Sequence, residues 1–419
     1  MVERFGVATR LARLHPYPAM VADELAVSLS EELISPGDRV LDPFCGSGRF
    51  LCGAVQMPGE RIGFDINPLA CLITQAKLSR ASHSIFRSFA ASLPEECDQS
   101  LPATNHEFDF SRRVDWFSRQ VLHELSAVVH FINDSDLAQP ERQLAAAILS
   151  ATTRQCSYAR TDSWKLHRIN EERRKTHSRS PISVFRKRVI DCVEELERES
   201  DVRCASTVFN QSLRETSLVE PGSVDLVMTS PPYGDSRTTV QYGAVSDLSL
   251  AVLRHVQGLG INMLKVGEID RKCLGGKIRR NLDNIEINDY WAGASASDFA
   301  HRLRSFLEDY ADHCRVIADA LKPGGKAVFV LSRRSLGGYR VKLDQYTIDL
   351  LARFDISLLN IETRAVKGKR LPYRINRFAA AKDANRSSVG SRPTMNEELV
   401  LHFQKAHAVN RMPLVNRAC

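Results

Sequence analysis

The run Asp42-Pro43-Phe44-Cys45-Gly46-Ser47-Gly48 sets a carboxylate directly before a glycine loop. Glycine loops that follow strands commonly cradle phosphates against a helix N-terminus. A carboxylate at the strand end would repel a pyrophosphate, and Leu51 stands where a dinucleotide fingerprint has its third glycine. The loop suits a ligand that carries a cationic amine instead. Seventeen residues beyond Gly48, Asp65 ends a second apolar stretch, placed to accept hydrogen bonds from two ribose hydroxyls. Ile66 beside it can pack on a purine face. A ligand with an ammonium, a ribose and an adenine is S-adenosyl-L-methionine. A nicotinamide cofactor is disfavoured by the incomplete fingerprint.

Taken whole, this segment resembles motif I of the amino-group DNA methyltransferases, and Phe64-Asp65-Ile66-Asn67-Pro68 resembles their motif II. Thr229-Ser230-Pro231-Pro232-Tyr233 matches their catalytic motif IV. His15-Pro16-Tyr17-Pro18-Ala19-Met20 resembles the segment that closes over the methionine end of the cofactor. The resemblance covers the sheet strands, about half of the chain. It implies a cofactor site of Tyr17, Asp42, Phe44, Cys45, Gly46, Ser47, Gly48, Asp65, Ile66 and Asn67, and a catalytic site of Ser230, Pro231, Pro232 and Tyr233. There is one departure. Many relatives hold the adenine amino group with an acidic residue after the third strand, where this chain has Asn210-Gln211-Ser212.

The tetrapeptide Ser230–Tyr233 fits the chemistry that the resemblance implies. The exocyclic amine of cytosine or adenine is a poor nucleophile, because its lone pair is delocalised into the ring. Two acceptors for its N–H bonds, the Ser230 hydroxyl and the Pro231 carbonyl, would pull it towards a tetrahedral shape. Consecutive prolines fix φ and hold that carbonyl rigidly. Tyr233 can stack on an extruded base. Transfer from a sulfonium needs alignment rather than a covalent enzyme intermediate. No Pro-Cys dipeptide occurs in the chain, which disfavours carbon-5 cytosine methylation. Family members with Ser in the first position mostly methylate cytosine at N4, whereas Asp or Asn there goes with adenine N6. Cytosine N4 is therefore the expected target, with adenine N6 as the alternative.

These residues need strands to hold them at one edge. Arg39–Phe44, Arg61–Ile66, Ser206–Phe209 and Val224–Ser230 read as four strands, with helices over 49–56 and Pro68–Leu78. A helix over Ser297–Leu321, a turn at Lys322-Pro323-Gly324-Gly325 and a strand over Lys326–Leu331 follow. A helix over Leu343–Phe354 and strands over Ile356–Ile361 and Glu398–Phe403 complete the set. The expected fold is a doubly wound, mostly parallel, seven-stranded Rossmann-like α/β sheet with a helical insert. Residues 1–80 and 205–405 would form the catalytic domain and 81–204 the insert, a DNA-binding subdomain. A second insert, 234–292, is a candidate for target recognition, and 406–419 is a tail.

The 419 residues carry 57 Lys and Arg against 50 Asp and Glu, a formal charge of +7. Residues 154–188 alone hold eleven basic against three acidic side chains, which suits a polyanion partner. Basic residues also gather at 271–280 and 364–377, and Arg237 is a candidate support for an opened duplex. The expected partner is double-stranded DNA, with a cognate restriction endonuclease acting separately. The ten cysteines form no C-x-x-C pair, no run of eighteen apolar residues occurs, and Met1–Pro18 lacks a secretory apolar run. A bacterial or archaeal cytoplasm is the expected setting. Competing readings are an RNA amino-group methyltransferase and a catalytically silent DNA-binding homologue. His15 fits a structural or lid role better than that of a general base.

Overall fold

A computed structural model of the chain describes residues 11–94, 108, 116–160, 166–198, 202–235, 240–264, 266–279, 286–292, 297–336, 339–365 and 397–407. Arg237, most of the 364–377 basic stretch and the tail from residue 408 lie outside the described residues.

The centre is a seven-stranded sheet. Helix α1 (Asp23–Leu33) leads into β1 (Arg39–Asp42), followed by β2 (Glu60–Phe64), α2 (Pro68–Leu78) and α3 (His83–Ser92). The inserted helices are α4 (Arg119–Asp134), α5 (Gln139–Cys156), α6 (Glu171–Thr176) and α7 (Pro181–Arg198). The sheet resumes with β3 (Ala205–Phe209) and β4 (Val224–Thr229), then α8 (Tyr242–Leu253), α9 (Val266–Lys272) and α10 (Ser297–Ala320). The last elements are β5 (Leu321–Ser332), a hairpin of β6 (Arg334–Leu336) and β7 (Tyr339–Val341), α11 (Leu343–Ala352), β8 (Ile356–Ala365) and β9 (Glu397–Lys405). Strand order is β3-β2-β1-β4-β5-β9-β8, with β9 antiparallel to both its neighbours and the other pairings parallel. The doubly wound, mostly parallel sheet is therefore present, and its order reverses between β1 and β4.

Strand residues alternate between two cores, as a period of two requires. Leu41, Val227, Phe329 and Leu401 face α10 and α11, while Val40, Leu226, Met228, Val330 and Val400 face α1. Both faces being covered explains why β4 and β5 read as continuous apolar runs.

Helix α2 is buried on nearly every side because it is sandwiched: Cys71 and Leu78 pack near β3, and Leu69, Leu72 and Ile73 join the inserted helices. Fully burying such side chains is worth about 1.5–3 kcal/mol each. The insert shares one apolar core with α2 and α8, running from Leu69 through Leu125, Leu149 and Phe185 to Leu253. Helix α8, which the glycine and basic residues of the second insert obscure in the sequence, belongs to this core.

Two sequence expectations change. The helix expected over 49–56 is a succession of turns, interrupted where Ala54 adopts φ +46°. Gly53 there packs so closely on Ser30 that a Cβ would lie 2.2 Å from its Oγ. Lys322–Gly325 are four residues bulging out of a longer strand, since Val224 pairs with Leu321 and Leu226 with Lys326.

Glu124 of α4 anchors the start of α7. Its carboxylate accepts from the Ser180 hydroxyl and from the Ile182 amide at 3.3 Å. Glu124→Ala leaves that helix-end amide unsatisfied, so unfolding in denaturant should show a loss of about 1–3 kcal/mol. An unchanged midpoint would mean that the cap carries no stability.

Candidate functional site

Asp42, the last residue of β1, is 2% exposed. Its Oδ1 accepts from the Thr229 hydroxyl at 2.8 Å and from the Phe44 amide at 3.1 Å. The first of these bonds crosses from β1 to β4 at the point where strand order reverses, the place where open α/β sheets bind ligands. No described residue bonds to Oδ2. Burial pushes the Asp42 carboxyl up to about 7, against the opposing effect of those two donors. The loop turns away sharply: Gly46 has φ +51° and Gly48 φ +77°, and a Cβ on Gly48 would meet Thr74 at 2.7 Å. Lys77, fully buried in α2, ties the loop down by donating to the Ser47 carbonyl at 3.1 Å. The buried Ser47 hydroxyl has no hydrogen-bond partner among the described residues.

Asp65, just beyond β2, accepts from the Gly46 amide on Oδ2 at 3.0 Å and the Asn67 amide on Oδ1 at 2.8 Å. A carboxylate can accept about four bonds, so roughly two positions remain. Burial raises this carboxyl to about 6, with the amides pulling the other way. Asn67 caps α2 through Leu69 and donates to the Tyr17 hydroxyl at 2.9 Å and Ser246 at 2.8 Å. Tyr17 in turn stacks on Tyr242 of α8, their ring centroids 6.2 Å apart.

Ser230 and Pro232 face the same cleft as the glycine loop, whereas Pro231 is buried. Tyr233 sits beside the cleft rather than lining it, and its hydroxyl meets the Ser230 Oγ at 3.1 Å. Burial raises the Tyr233 phenol, so it stays protonated. The next residue packs closely: a Cβ on Gly234 would lie 1.7 Å from Nη1 of the buried Arg334, so a side chain there would displace that guanidinium. Arg334, in β6, also feels the charge of the buried Asp235. The hairpin base is thereby wedged against the double-proline turn.

The structure thus brings Tyr17, Asp42, Phe44, Cys45, Gly46 and Ser47 together with Asp65, Ile66, Asn67, Ser230 and Pro232 around one cleft. Its empty space is about 910 Å³ including the open mouth, within the usual range for a small-molecule site. Gly48, Pro231 and Tyr233 support it from behind. Sequence reasoning missed Tyr242, Lys272–Leu274 and His313, which close the far walls. Their only trace in the sequence is apolar or helical spacing shared with any core residue. Gln211 and Ser212, from the segment that lacks the acidic residue, do line the cleft, and Asn210 does not.

His313 packs on Phe44 in a tilted pair, ring centroids 4.7 Å apart, and is held neutral, burial lowering its pKa to about 4. Its Nδ1 donates to the Asp309 carbonyl, so Nε2 accepts from Ser212 at 2.9 Å. His15 is a structural residue. Nδ1 donates to the Pro16 carbonyl, Nε2 accepts from Ser150 of α5 at 2.6 Å, and burial lowers its pKa to about 3.

Two carboxylates, an unpartnered hydroxyl and a ring-lined wall make a cleft for a cationic ligand with hydroxyl and aromatic parts. Among the described residues no cluster of metal-ligating side chains occurs, and no helix is long and apolar enough to cross a membrane.

Of the basic residues, Arg173, Lys175 and Arg179 are exposed and make no ion pair among the described residues, although Arg179 donates to the Gln155 carbonyl at 3.4 Å, and Arg188 is held by two bonds to the Gln155 side chain. Arg279 is not free for an outside partner: it pairs with Glu308 and Asp309 of α10.

No family model matches the chain. It is 26% identical over 423 residues to a type II methyltransferase, M.MvaI, of Kocuria varians, covering 93% of this chain and 90% of that protein. A second, M.BsoBI of Geobacillus stearothermophilus, is 23% identical over 312 residues, covering 66% of this chain and 58% of its own length. A third, M.MjaII of Methanocaldococcus jannaschii, is 36% identical over 67 residues, or 16% of this chain and 13% of that one.

The Asp42 carboxyl makes stability depend on pH in a definite sense. Its folded value of about 7 lies above the ordinary 3.8, so the folded state holds the proton more tightly. Stability is therefore lost as pH rises from about 4 to about 7, and the whole cost is present above that. Asp42→Asn keeps the acceptor for Thr229 and Phe44 but has no charge to bury. Without ligand it should be more stable than the parent at pH 8, by roughly 2–4 kcal/mol, and no more stable at pH 4. Equal stability at pH 8 would refute the buried charge.

Proposed function

We propose that this chain, which belongs to the DNA methyltransferase family, transfers the methyl group of S-adenosyl-L-methionine to the exocyclic N4 amine of cytosine in duplex DNA. Methyl transfer to DNA follows from the family. The choice of atom rests on Ser230 as the first residue of the catalytic turn. The observation that carries the whole reading is the Asp42–Thr229 bond of 2.8 Å, which fastens the donor loop to the strand delivering Ser230.

The cleft fits the donor. Asp42 has a carboxylate oxygen with no partner among the described residues, suited to the donor's ammonium group. Asp65 keeps acceptor capacity for ribose hydroxyls, and Ser47 offers an unused hydroxyl. Ile66 and Phe44 supply apolar surface, and Tyr17 closes one side through its bond to Asn67. When bound, the donor supplies a methyl on a sulfonium sulfur, a good leaving group. Ser230 and the Pro231 carbonyl then accept the two N–H bonds of the target amine and push its lone pair out of the ring. If the Ser230 hydroxyl donates to Tyr233, both lone pairs of its Oγ stay available for that task. Holding nitrogen and methyl about 3–3.5 Å apart does most of the remaining work. No general base is assigned, since the product proton can leave to water.

The base must leave the duplex to reach this cleft, at a cost of a few kcal/mol. Grip on the phosphates falls to the inserted helices, with Arg173, Lys175 and Arg179 as the open cations. Residues 234–292 remain the candidate for reading bases, through Arg271 and Lys277 rather than Arg279. A methyl on N4 projects into the major groove. There it would bar a separately acting endonuclease that reads the same site, the partner this product implies.

Ser230→Ala should lower turnover at least about 100-fold while the dissociation constant for the donor stays within twofold. In cells expressing the parent chain, sequencing of modified DNA should report N4-methylcytosine at one site. N6-methyladenine instead would overturn the choice of atom, and modified RNA the choice of nucleic acid. Replacing Arg173, Lys175 and Arg179 together by Ala should flatten the plot of log affinity against log salt by roughly 2–3 in slope. An unchanged slope would move the phosphate grip elsewhere.

A further inference from the structure

Three separate segments form one wall of the cleft. The segment after β3 brings Gln211 and Ser212, the loop following α9 brings Cys273 and Leu274, and α10 brings His313. One residue of α10 ties the three together. Asp309 of α10 is 5% exposed. Its Oδ1 accepts from Arg214, just after Ser212, and from Arg279 at the end of the loop. Its Oδ2 accepts from the Gly275 amide at 2.8 Å, one residue beyond Leu274. Its carbonyl takes the Nδ1 proton of His313 at 2.8 Å, which leaves Nε2 to accept from Ser212.

The loop has little slack around that carboxylate. Gly275 has φ +65°, and a Cβ there would lie 3.0 Å from the Cβ of Phe306, so its backbone rests directly on α10. The Arg279 amide donates to Ser305 at 2.8 Å, one turn before Asp309. Arg214 and Arg279 come from stretches of chain far apart in sequence, and both cations converge on a single oxygen. Bonds between charged groups in such a buried setting are the strong ones. Removing the carboxylate would leave two guanidinium groups facing each other and an amide without an acceptor.

We propose that Asp309 is a positioning residue for the methyl donor, its carboxylate the clasp that holds the loop 272–279 and the segment of Ser212 and Arg214 against α10 at the spacing the bound donor requires. The proposal rests on the methyltransferase reading of the cleft. It assigns Asp309 to donor affinity and not to the chemical step, because the catalytic turn has its own anchors, Thr229 on Asp42 and Arg334 under Gly234. The loop meets the chain only beyond that turn, where a Cβ on Gly275 would lie 3.2 Å from the Cβ of Asp235.

The test measures S-adenosyl-L-methionine binding by calorimetry, and steady-state methyl transfer to DNA, for the parent, Asp309→Ala, Arg279→Gln and, as a control one turn along the same helix, Asp312→Asn. Asp309→Ala should weaken donor binding at least tenfold and raise the donor KM in parallel. Turnover at saturating donor should stay within about threefold, and Asp312→Asn should match the parent. If Asp309→Ala does not fold, Arg279→Gln removes one arm of the clasp and should raise donor KM about threefold or more with turnover kept. A loss of turnover with donor affinity intact, or no change in either, overturns the proposal. A parent chain that binds no donor sinks the methyltransferase reading and this assignment together. A parent that binds it while both variants bind it equally well sinks the assignment alone.

Discussion

A single hydrogen bond between the two innermost strands governs this site. Strands β1 and β4 run parallel, and their ends carry Asp42 and Thr229, joined at 2.8 Å. Everything downstream of each strand inherits that spacing. On one side Asp42 opens the glycine loop, and on the other Thr229 opens the double-proline turn. A hydroxyl donating to a buried carboxylate fixes direction as well as distance, which no apolar contact at this position could do. Two groups meant to react with one another must be held to within a fraction of an ångström. A strand end is a stiffer mount for them than a loop.

The same carboxylates make the site costly without its ligand. Asp42 and Asp65 face one cleft, are raised by burial and repel each other. The rings of Tyr17, Phe44 and Tyr242 line the same cleft and add to the desolvation. Net affinity for a cation is the counterpart of that unrelieved charge. Two carboxylates raised by burial in one cleft are a cost of the kind that functional sites commonly carry.

Much of this was legible in the sequence because strand ends and glycine loops announce themselves locally. Asp42, Asp65 and Ser230 each follow an apolar run that can only be a covered strand, so their common edge follows from parallel topology alone. Tyr242, Leu274 and His313 were not legible, because long connections bring them to the cleft and their types are ordinary core types. The 49–56 stretch misled for a physical reason. Its composition permits a helix, but the close approach of Gly53 to Ser30 and the left-handed Ala54 break the ladder into turns. Charge was the least reliable guide. Arg279 looks like its neighbours Arg271 and Lys277 in the sequence, yet two carboxylates of α10 claim it.

The inserted helices are more than an appendage that offers positive charge. Ser150 in α5 donates its hydroxyl to His15, and its carbonyl accepts from Ser249 of α8 at 3.0 Å. His15 lies two residues before Tyr17, and Ser249 seven residues after Tyr242, the two rings that stack over the cleft. One turn of α5 therefore supports both of them. A cleft wall built this way cannot be cut from the insert, because the buried imidazole and α8 would each lose their partner. The chain's two long excursions from the sheet, which look separable in sequence, are fused by a shared core from Leu69 to Leu253. The fold accommodates its insertions by making them walls of the site.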